Sequence, residues 1–310
     1  MTGKNIHFKP YAMSKFERGI KSLAFIDALN DLRKNPISFW SRMVLDKDLF
    51  IAIRKERIHV YFQGNRLCEL TYKNGNVVGE TMYKFLLNPS LLQKNFTFIN
   101  GKCISPPPPN LLTTSYTDLQ LIKSAMSVYY GEEKNGVHEI SISVPNVLDV
   151  EIAFEKDPVP PKTRKSTDRI DFLRLEKQDG QLKLVFYEAK LFTNKEIRKP
   201  KGVQPPVIDQ LHDYIKALKK HEPDILDSYA LVCKNQQDLA LLKSTDLASS
   251  VLNKHSFSID PIPRLVIFDF DEDQRTGKIY HEHLENLRSF TKCPIIAKGA
   301  PKSFKSLGNL

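Results

Sequence analysis

One dipeptide, Asp179-Gly180, constrains the fold of this chain more than any other feature of its sequence. It lies between two strand-like runs, 169–176 and 182–191, and Asp-Gly in that position is a strong signal for a two-residue β-hairpin loop. The register that this loop sets pairs Asp171 directly with Glu188. The sequence therefore predicts two carboxylates facing each other across neighbouring strands.

Side chains alternate between the two faces of a strand, so Asp171, Glu188 and Lys190 share a face with Arg169 at the end of the hairpin far from the turn. The rest of that face is apolar and comprises Leu173, Leu175, Leu182, Leu184 and Phe186. Directly opposed side chains have Cβ atoms about 4.5–5.5 Å apart. Two carboxylates at that distance repel each other, and a proton, a cation or a lysine must offset the repulsion.

This geometry favours metal-assisted hydrolysis of a phosphodiester. Mg²⁺ prefers one or two carboxylates together with water and phosphate oxygens. A lysine one step along the strand can hold an attacking water or offset charge that develops on a phosphate. The alternative is a solvated, charged strand end that Arg169 and Lys190 balance.

The elements around the hairpin predict an α/β fold class (α+β overall), in which helices flank a mixed β-sheet. Hydrophobic periodicity predicts a helix at 117–130 and a strand at 148–154 before the hairpin. A helix at 207–219 and a strand at 228–233 follow it, which completes an αβββαβ order. Behind this core the sequence predicts a helix at 237–242, a strand at 264–270 and a helix at 283–290.

The first third of the chain predicts a smaller α+β domain of unknown role. Residues 15–34 have helical spacing, whereas 49–73 are rich in β-branched and aromatic residues and alternate around Gly64-Asn65. A strand at 77–82 extends that hairpin. Four prolines at 106–109 interrupt regular structure and predict a stiff linker. We therefore expect one domain over 1–105 and a second over 111–310.

Asp171 followed by Glu188-Ala189-Lys190 resembles the D…(E)xK signature of the PD-(D/E)xK nuclease superfamily. This superfamily includes restriction endonucleases and RecB-like exonucleases. The αβββαβ order resembles its common core, with the aspartate on the second strand and ExK on the third. Gln210 and Tyr214 resemble the QxxxY motif of the RecB-like and λ-exonuclease-like branches. The resemblance covers residues 115–235.

The resemblance implies a role for each matching residue. Asp171 and Glu188, helped by the Ala189 carbonyl, would ligate Mg²⁺ or Mn²⁺. Lys190 would position or activate water. Gln210 and Tyr214 would orient the lysine side or touch the DNA backbone, although Tyr214 also fits a plain core position in an apolar stripe.

Two features depart from the family pattern. The superfamily usually places a further acid on the first core helix, and the predicted helix at 117–130 contains only Asp118. Glu133, just past its expected end, is the first choice for that acid; Glu132, Glu139 and Glu151 are the alternatives. Ile170 stands where the family has proline.

The charge balance is compatible with a nucleic-acid partner. The chain has 46 Lys and Arg residues against 36 Asp and Glu residues, a net charge of +10. Basic residues cluster on both sides of the predicted site, as binding to a phosphate backbone requires. They are Lys162, Arg164, Lys165, Arg169, Lys195, Arg198, Lys199 and Lys201. DNA is the expected partner and RNA an alternative, while two merely solvated basic loops would show the same pattern.

Three functions follow from the sequence. The first is a metal-dependent nuclease that acts on DNA. The second is a nucleic-acid-binding or interaction module on the same fold with an inactive site. The third, and weakest, is a phosphatase built on Asp269 and Asp271, in a segment that superficially resembles the nucleophile motif of haloacid dehalogenase-like phosphatases. Endonuclease or exonuclease mode stays open, as does the oligomeric state, with a homodimer as one alternative.

Composition limits the cellular context. No apolar run approaches the ~18 residues of a membrane span, and the polar N-terminus has no secretory signal. Four widely separated cysteines argue against a zinc site and against a disulfide scaffold. We therefore expect a cytoplasmic protein without a membrane partner.

Overall fold

The structure is a computed structural model that describes residues 15–85, 95–103, 118–154, 169–242 and 246–306. Its helices are α1 Leu23–Lys34, α2 Phe39–Leu45, α3 Leu119–Met126, α4 Glu132–Ser143, α5 Pro206–Lys220, α6 Glu222–Asp238, α7 Glu272–Thr276 and α8 Lys278–Phe290. Its first six strands are β1 Phe50–Arg54, β2 Arg57–Phe62, β3 Asn65–Lys73, β4 Asn76–Met82, β5 Asn95–Ile99 and β6 Lys102–Cys103. The others are β7 Val147–Ala153, β8 Arg169–Gln178, β9 Gln181–Leu191, β10 Phe257–Ile259, β11 Arg264–Phe268 and β12 Ile295–Ala297.

The first six strands form one antiparallel sheet in sequential order. The predicted hairpin is present, but its turn is formed by Gln63 and Gly64, one residue before the expected Gly64-Asn65, because Phe62 pairs with Asn65. The run 49–73 contains a further turn, which separates β1 from β2. The helix predicted over 15–34 is wrong in its first part. Ser22 caps α1 by accepting from the Phe25 N–H, and Gly19 has a left-handed φ of 99° that no helix allows.

The second sheet has the strand order β12-β11-β9-β8-β7, with β10 also paired to β9. Strands β7, β8 and β9 are antiparallel, whereas β10 and β11 run parallel to β9. The mixed sheet flanked by helices is therefore confirmed. The hairpin register is confirmed from Gln178–Gln181 at the turn to Phe172–Tyr187. Asp179 and Gly180 both have positive φ, 50° and 79°, as a two-residue type I′ turn requires.

The strand predicted at 228–233 is wrong, because these residues lie inside α6. The helix predicted at 237–242 is wrong as well, since α6 ends at Asp238. A short apolar run does not distinguish a buried strand from a buried helix by periodicity. Strand β11, which lies within the predicted strand 264–270, pairs parallel to β9.

Helix α4 packs on the second sheet, and the sequence did not predict it. The predicted helix at 117–130 corresponds to α3 and a short 3₁₀ turn at Ser127–Tyr129. Gly136, in the middle of α4, disfavours a helix on propensity. It is needed there because a Cβ would collide with the ring of Phe268 on β11. Tertiary packing thus outweighs the local signal.

The two sheets share one continuous buried core, which contains Trp40 and Phe98 from the first part and Leu173 and Tyr229 from the second. Asp149 of β7, 1% exposed, also joins the two parts. Its carboxylate accepts from Arg18 Nε at 3.1 Å and from the Tyr229 hydroxyl at 2.8 Å, and it pairs with Arg54. The proline run at 106–109 lies outside the described residues, and the division into two domains stays a prediction.

Candidate active site

Asp171 and Glu188 lie at the end of the β8–β9 hairpin far from the turn, one residue beyond the Phe172–Tyr187 pair. Asp171 Oδ2 accepts a hydrogen bond from the Ala189 N–H at 2.7 Å. The Glu188 side chain is 2% exposed; its Oε1 lies 2.9 Å from Lys190 Nζ. The hairpin therefore brings the predicted D…ExK residues together, with the backbone of Ala189 between them.

Both carboxyl groups are in an environment that disfavours their charge. Burial raises the pKa of Asp171 well above its ordinary value, and the nearby Glu188 carboxylate raises it further. Burial raises the pKa of Glu188 to about 7, although Lys190 acts in the opposite direction. A cation bound between these groups would offset both effects.

Lys190 is a buried cation with two carboxylate partners. Its Nζ atom lies 2.9 Å from Glu188 Oε1 and 2.6 Å from Glu196 Oε2. Burial lowers the pKa of Lys190, but Glu188 and Glu196 more than compensate, so that the pKa lies above its ordinary value. The side chain is therefore charged at neutral pH and acts by electrostatics and hydrogen bonding.

Glu133 lies in the first turn of α4, a helix separate from the one predicted at 117–130. Its Oε2 accepts from the Leu191 N–H at 3.1 Å and from Asn194 Nδ2 at 2.6 Å. Together with Asp171 and Glu151 it lines a cavity of about 130 Å³. The sequence did not indicate Asn194 as a site residue, because a single asparagine in a loop belongs to no periodic pattern.

The other candidates for the helix acid have different environments. Glu132 is exposed, and Glu139 accepts from Asn135 Nδ2 at 3.0 Å. Glu151 lines the cavity and pairs with Arg169 at 3.0 Å. Its φ is positive, 52°, within β7 next to the site. Glu133 and Glu151 are thus the two that lie beside Asp171.

The first sheet forms part of the same cavity wall, through Tyr61 and Gly64. Gly64 packs so closely on α4 that a Cβ would lie 2.5 Å from the carbonyl oxygen of Lys134. His138 of α4 also lines the cavity, and its Nε2 lies 2.8 Å from the Asp48 carbonyl oxygen. Nothing in the sequence indicated that this part of the chain reaches the site.

Gln210 and Tyr214 lie one turn apart on α5 and form a chain that leads to Glu188. Gln210 Nε2 donates to the Tyr214 hydroxyl, which lies 3.1 Å from Glu188 Oε2 and 2.8 Å from the Arg169 carbonyl oxygen. The Tyr214 hydroxyl thus contacts Glu188. The role that the resemblance implies for the pair, which is to orient the lysine side or touch the DNA backbone, stays a prediction. The buried Tyr214 ring also belongs to the core.

The carboxylates at this site have the donor chemistry that Mg²⁺ or Mn²⁺ prefers. Their present partners compete with such an ion, since Lys190 binds Glu188 and the Leu191 and Asn194 groups bind Glu133. Within the described ranges no three His, Cys, Asp or Glu side chains are grouped so that they could hold a metal ion. The donor types thus fit, while the side-chain arrangement does not form a complete ligand set.

The predicted nucleic-acid-binding residues are only partly described. Lys162, Arg164 and Lys165 lie outside the described residues. Arg169 and Lys195 are exposed, and Lys199 is half-buried. The Arg198 guanidinium lies 4.4 Å from the centre of the Phe192 ring, and its Nε donates to the Phe192 carbonyl oxygen.

Asp271, one of the two acids of the phosphatase alternative, has a structural role. It is the N-cap of α7 and accepts from the Gln274 N–H at 2.7 Å, while the Gln274 side chain accepts from the Asp271 N–H. This capping box occupies the carboxylate that the phosphatase alternative needs.

No protein-family model matches the chain, and neither a curated protein nor a solved structure matches it. Among the described residues, no helix is both long and apolar enough to cross a membrane.

Proposed function

We propose that the chain is a metal-dependent nuclease of PD-(D/E)xK type that hydrolyses phosphodiester bonds of DNA. The observation that carries the proposal is the meeting of Asp171, Glu188 and Lys190 at one end of the β8–β9 hairpin. Glu133, from α4, lines the same small cavity as Asp171. The helix–three strands–helix order and the parallel β11 support a nuclease-like core.

Each side chain has a role that its contacts support. Asp171 and Glu188 would hold a Mg²⁺ or Mn²⁺ ion, which when bound supplies Lewis acidity and a more acidic water. Lys190 remains charged and can hold the attacking water or offset charge on the phosphate. Tyr214, supported by Gln210, fixes the Glu188 carboxylate.

A nucleic-acid-binding module without cleavage is the second candidate. Lys190 is paired with both Glu188 and Glu196, and the described carboxylates form no complete ligand set. This candidate predicts DNA binding that falls steeply with salt, without cleavage in any metal.

Cleavage assays test the nuclease proposal. The protein is incubated with linear and circular DNA, single- and double-stranded, in Mg²⁺, Mn²⁺ or EDTA. We expect metal-dependent cleavage that Lys190→Ala lowers about 100-fold or more, because it removes the charged group beside the reacting phosphate. Lys216→Ala, an exposed lysine on α5, is the matched control and should cleave like the wild type. Cleavage that is equal in Lys190→Ala, or absent in every metal, would contradict the proposal.

A further inference from the structure

Glu196 lies in the loop that leaves β9 and contacts the lysine of the candidate site. Its Oε2 is 2.6 Å from Lys190 Nζ. The Lys190 side chain is 8% exposed and its other partner, Glu188, 2%, whereas the Glu196 side chain is 51% exposed. Glu196 is thus the partner through which the Lys190 ammonium meets the solvent side of the site.

The backbone of Glu196 is fixed on both sides. Its N–H donates to Asn194 Oδ1 at 2.8 Å, and its carbonyl oxygen accepts from the Val207 N–H at 3.1 Å. Asn194 in turn binds Glu133, and Ile197 is buried in the core. The carboxylate can therefore leave Lys190 by side-chain rotation alone, which takes picoseconds to nanoseconds in exposed residues.

A carboxylate and a phosphodiester are both single anions that accept hydrogen bonds from a lysine ammonium. We propose that Glu196 is an internal competitor of the substrate: its carboxylate occupies the place on Lys190 that a phosphodiester oxygen takes, and bound DNA displaces it. This inference rests on the proposed nuclease function, since it assigns the substrate phosphate to Lys190. It makes Glu196 a residue that limits affinity.

The test is the affinity of full-length Glu196→Gln for a 5′-fluorescein-labelled 20-nucleotide DNA, single- or double-stranded, measured by anisotropy in EDTA. We expect the dissociation constant to fall about three- to tenfold, because the phosphate no longer competes with an ion pair. Asp209→Asn on α5, exposed and of the same charge change, should shift it less than twofold. Glu196→Ala should repeat the gain, and a thermal melt of each variant checks folding.

Lys190→Ala separates this effect from a general loss of negative charge. In the Lys190→Ala background, Glu196→Gln should not change the dissociation constant, because the shared lysine is gone. An equal gain with and without Lys190, or no gain in Glu196→Gln, overturns the inference. Loss of metal-dependent cleavage in Glu196→Gln with unchanged affinity also overturns it and makes Glu196 part of the metal site.

These outcomes distinguish the two proposals. If the wild type cleaves, Lys190→Ala does not, and Glu196→Gln binds like the wild type, the nuclease proposal stands and the competitor role falls. If Glu196→Gln gains affinity through Lys190 but no protein cleaves in any metal, the competition stands and the nuclease proposal falls. A wild type that does not bind DNA overturns both.

Discussion

Tyr214 serves the core and the candidate site with one side chain. Its ring lies in the apolar stripe of α5, while its hydroxyl accepts from Gln210 and reaches the Glu188 carboxylate. A sequence predicts such a residue equally well as core or as site, because both need a buried aromatic at helical spacing. The structure places the ring in the core and the hydroxyl beside Glu188, so the hydroxyl is the part on which a role in the site would depend.

Tyr214→Phe tests that hydroxyl. The hydroxyl is a hydrogen-bond partner of Glu188, the proposed metal ligand, so its removal should lower cleavage or metal affinity about 10- to 100-fold. We expect a higher Mg²⁺ concentration for half-maximal cleavage, a readout that packing alone would not move. Tyr72→Phe, on the first sheet, is the control. An unchanged Mg²⁺ requirement in Tyr214→Phe would contradict this role.

Asp149 is a buried carboxylate whose partners come from both parts of the chain. Two arginines, a tyrosine hydroxyl and the Val150 N–H surround it. The Arg54 side chain is 8% exposed. Burial lowers the pKa of its guanidinium, but the Asp149 charge outweighs burial, so the pKa lies above its ordinary value. Removing the carboxylate would leave a buried charge without its partner.

Asp149→Asn should therefore lower the free energy of unfolding by about 3–5 kcal/mol. Urea unfolding measures this change. Asp31→Asn, which removes an exposed ion pair with Lys34, is the matched control and should leave the midpoint unchanged. Equal midpoints for the two variants would show that the buried cluster does not stabilise the fold.

At the scale of elements, the sequence predicted those helices and strands that turn residues and hydrophobic periodicity determine. The Asp179-Gly180 turn sets the β8–β9 register, so counting residues from the turn predicted that Asp171 and Glu188 lie close together. Helix α5 followed from its apolar stripe. By contrast, α4 has a weak pattern, and its central Gly136 is explained only by the distant Phe268 ring.

The site residues divide in the same way. Asp171, Glu188 and Lys190 follow from strand register, whereas Asn194 and Glu196 lie in a loop, where no periodicity applies. The signal that could have found them is position, because polar groups in a loop that leaves a site strand are placed to reach it. Glu133 became a candidate only through the family resemblance, because the helix that carries it was not predicted.

The β2–β3 turn packs on α4 beside the candidate site. Gly64 has a φ of 72° and abuts the α4 backbone, while Gly75 in the β3–β4 turn has a φ of 78° and open space around it. Gly75→Ala should cost about 1–2 kcal/mol from backbone strain alone. Gly64→Ala should cost about 1–3 kcal/mol more, because the added Cβ overlaps α4.

Urea unfolding of the two glycine variants, combined with DNA cleavage, measures this difference. We expect Gly64→Ala to lower cleavage by folded protein as well, since the displaced turn lines the cavity beside Asp171. Equal stability of the two variants would show that the turn does not press on α4.

At the scale of the whole molecule, the two sheets share one core and the Asp149 cluster. Two parts that bury apolar surface against each other unfold together unless each is stable alone. The sequence predicted two domains from composition around the proline run, and a composition shift does not report how much surface two parts bury against each other. Whether the two parts unfold together reports how much surface they bury against each other.

The only tryptophan of the chain, Trp40, makes this measurable. It is fully buried in the first part, so its fluorescence reports unfolding there. Far-ultraviolet circular dichroism reports mainly α4, α5, α6 and α8 of the second part. We expect both signals to change at the same urea concentration. Two separate midpoints would instead support two independent domains.

Strand β9 has neighbours on both sides, β8 on one and β10 followed by β11 on the other. Over Glu188, Ala189 and Lys190 the paired strand is β11, and the Ala189 N–H donates to Asp171 Oδ2. We therefore expect their amide hydrogens to exchange slowly with solvent. The backbone that presents these groups stays still on the timescale of ligand binding. Adjustment to a ligand falls to the side chains of Lys190 and Glu196, which move about a billion times faster than a sheet opens.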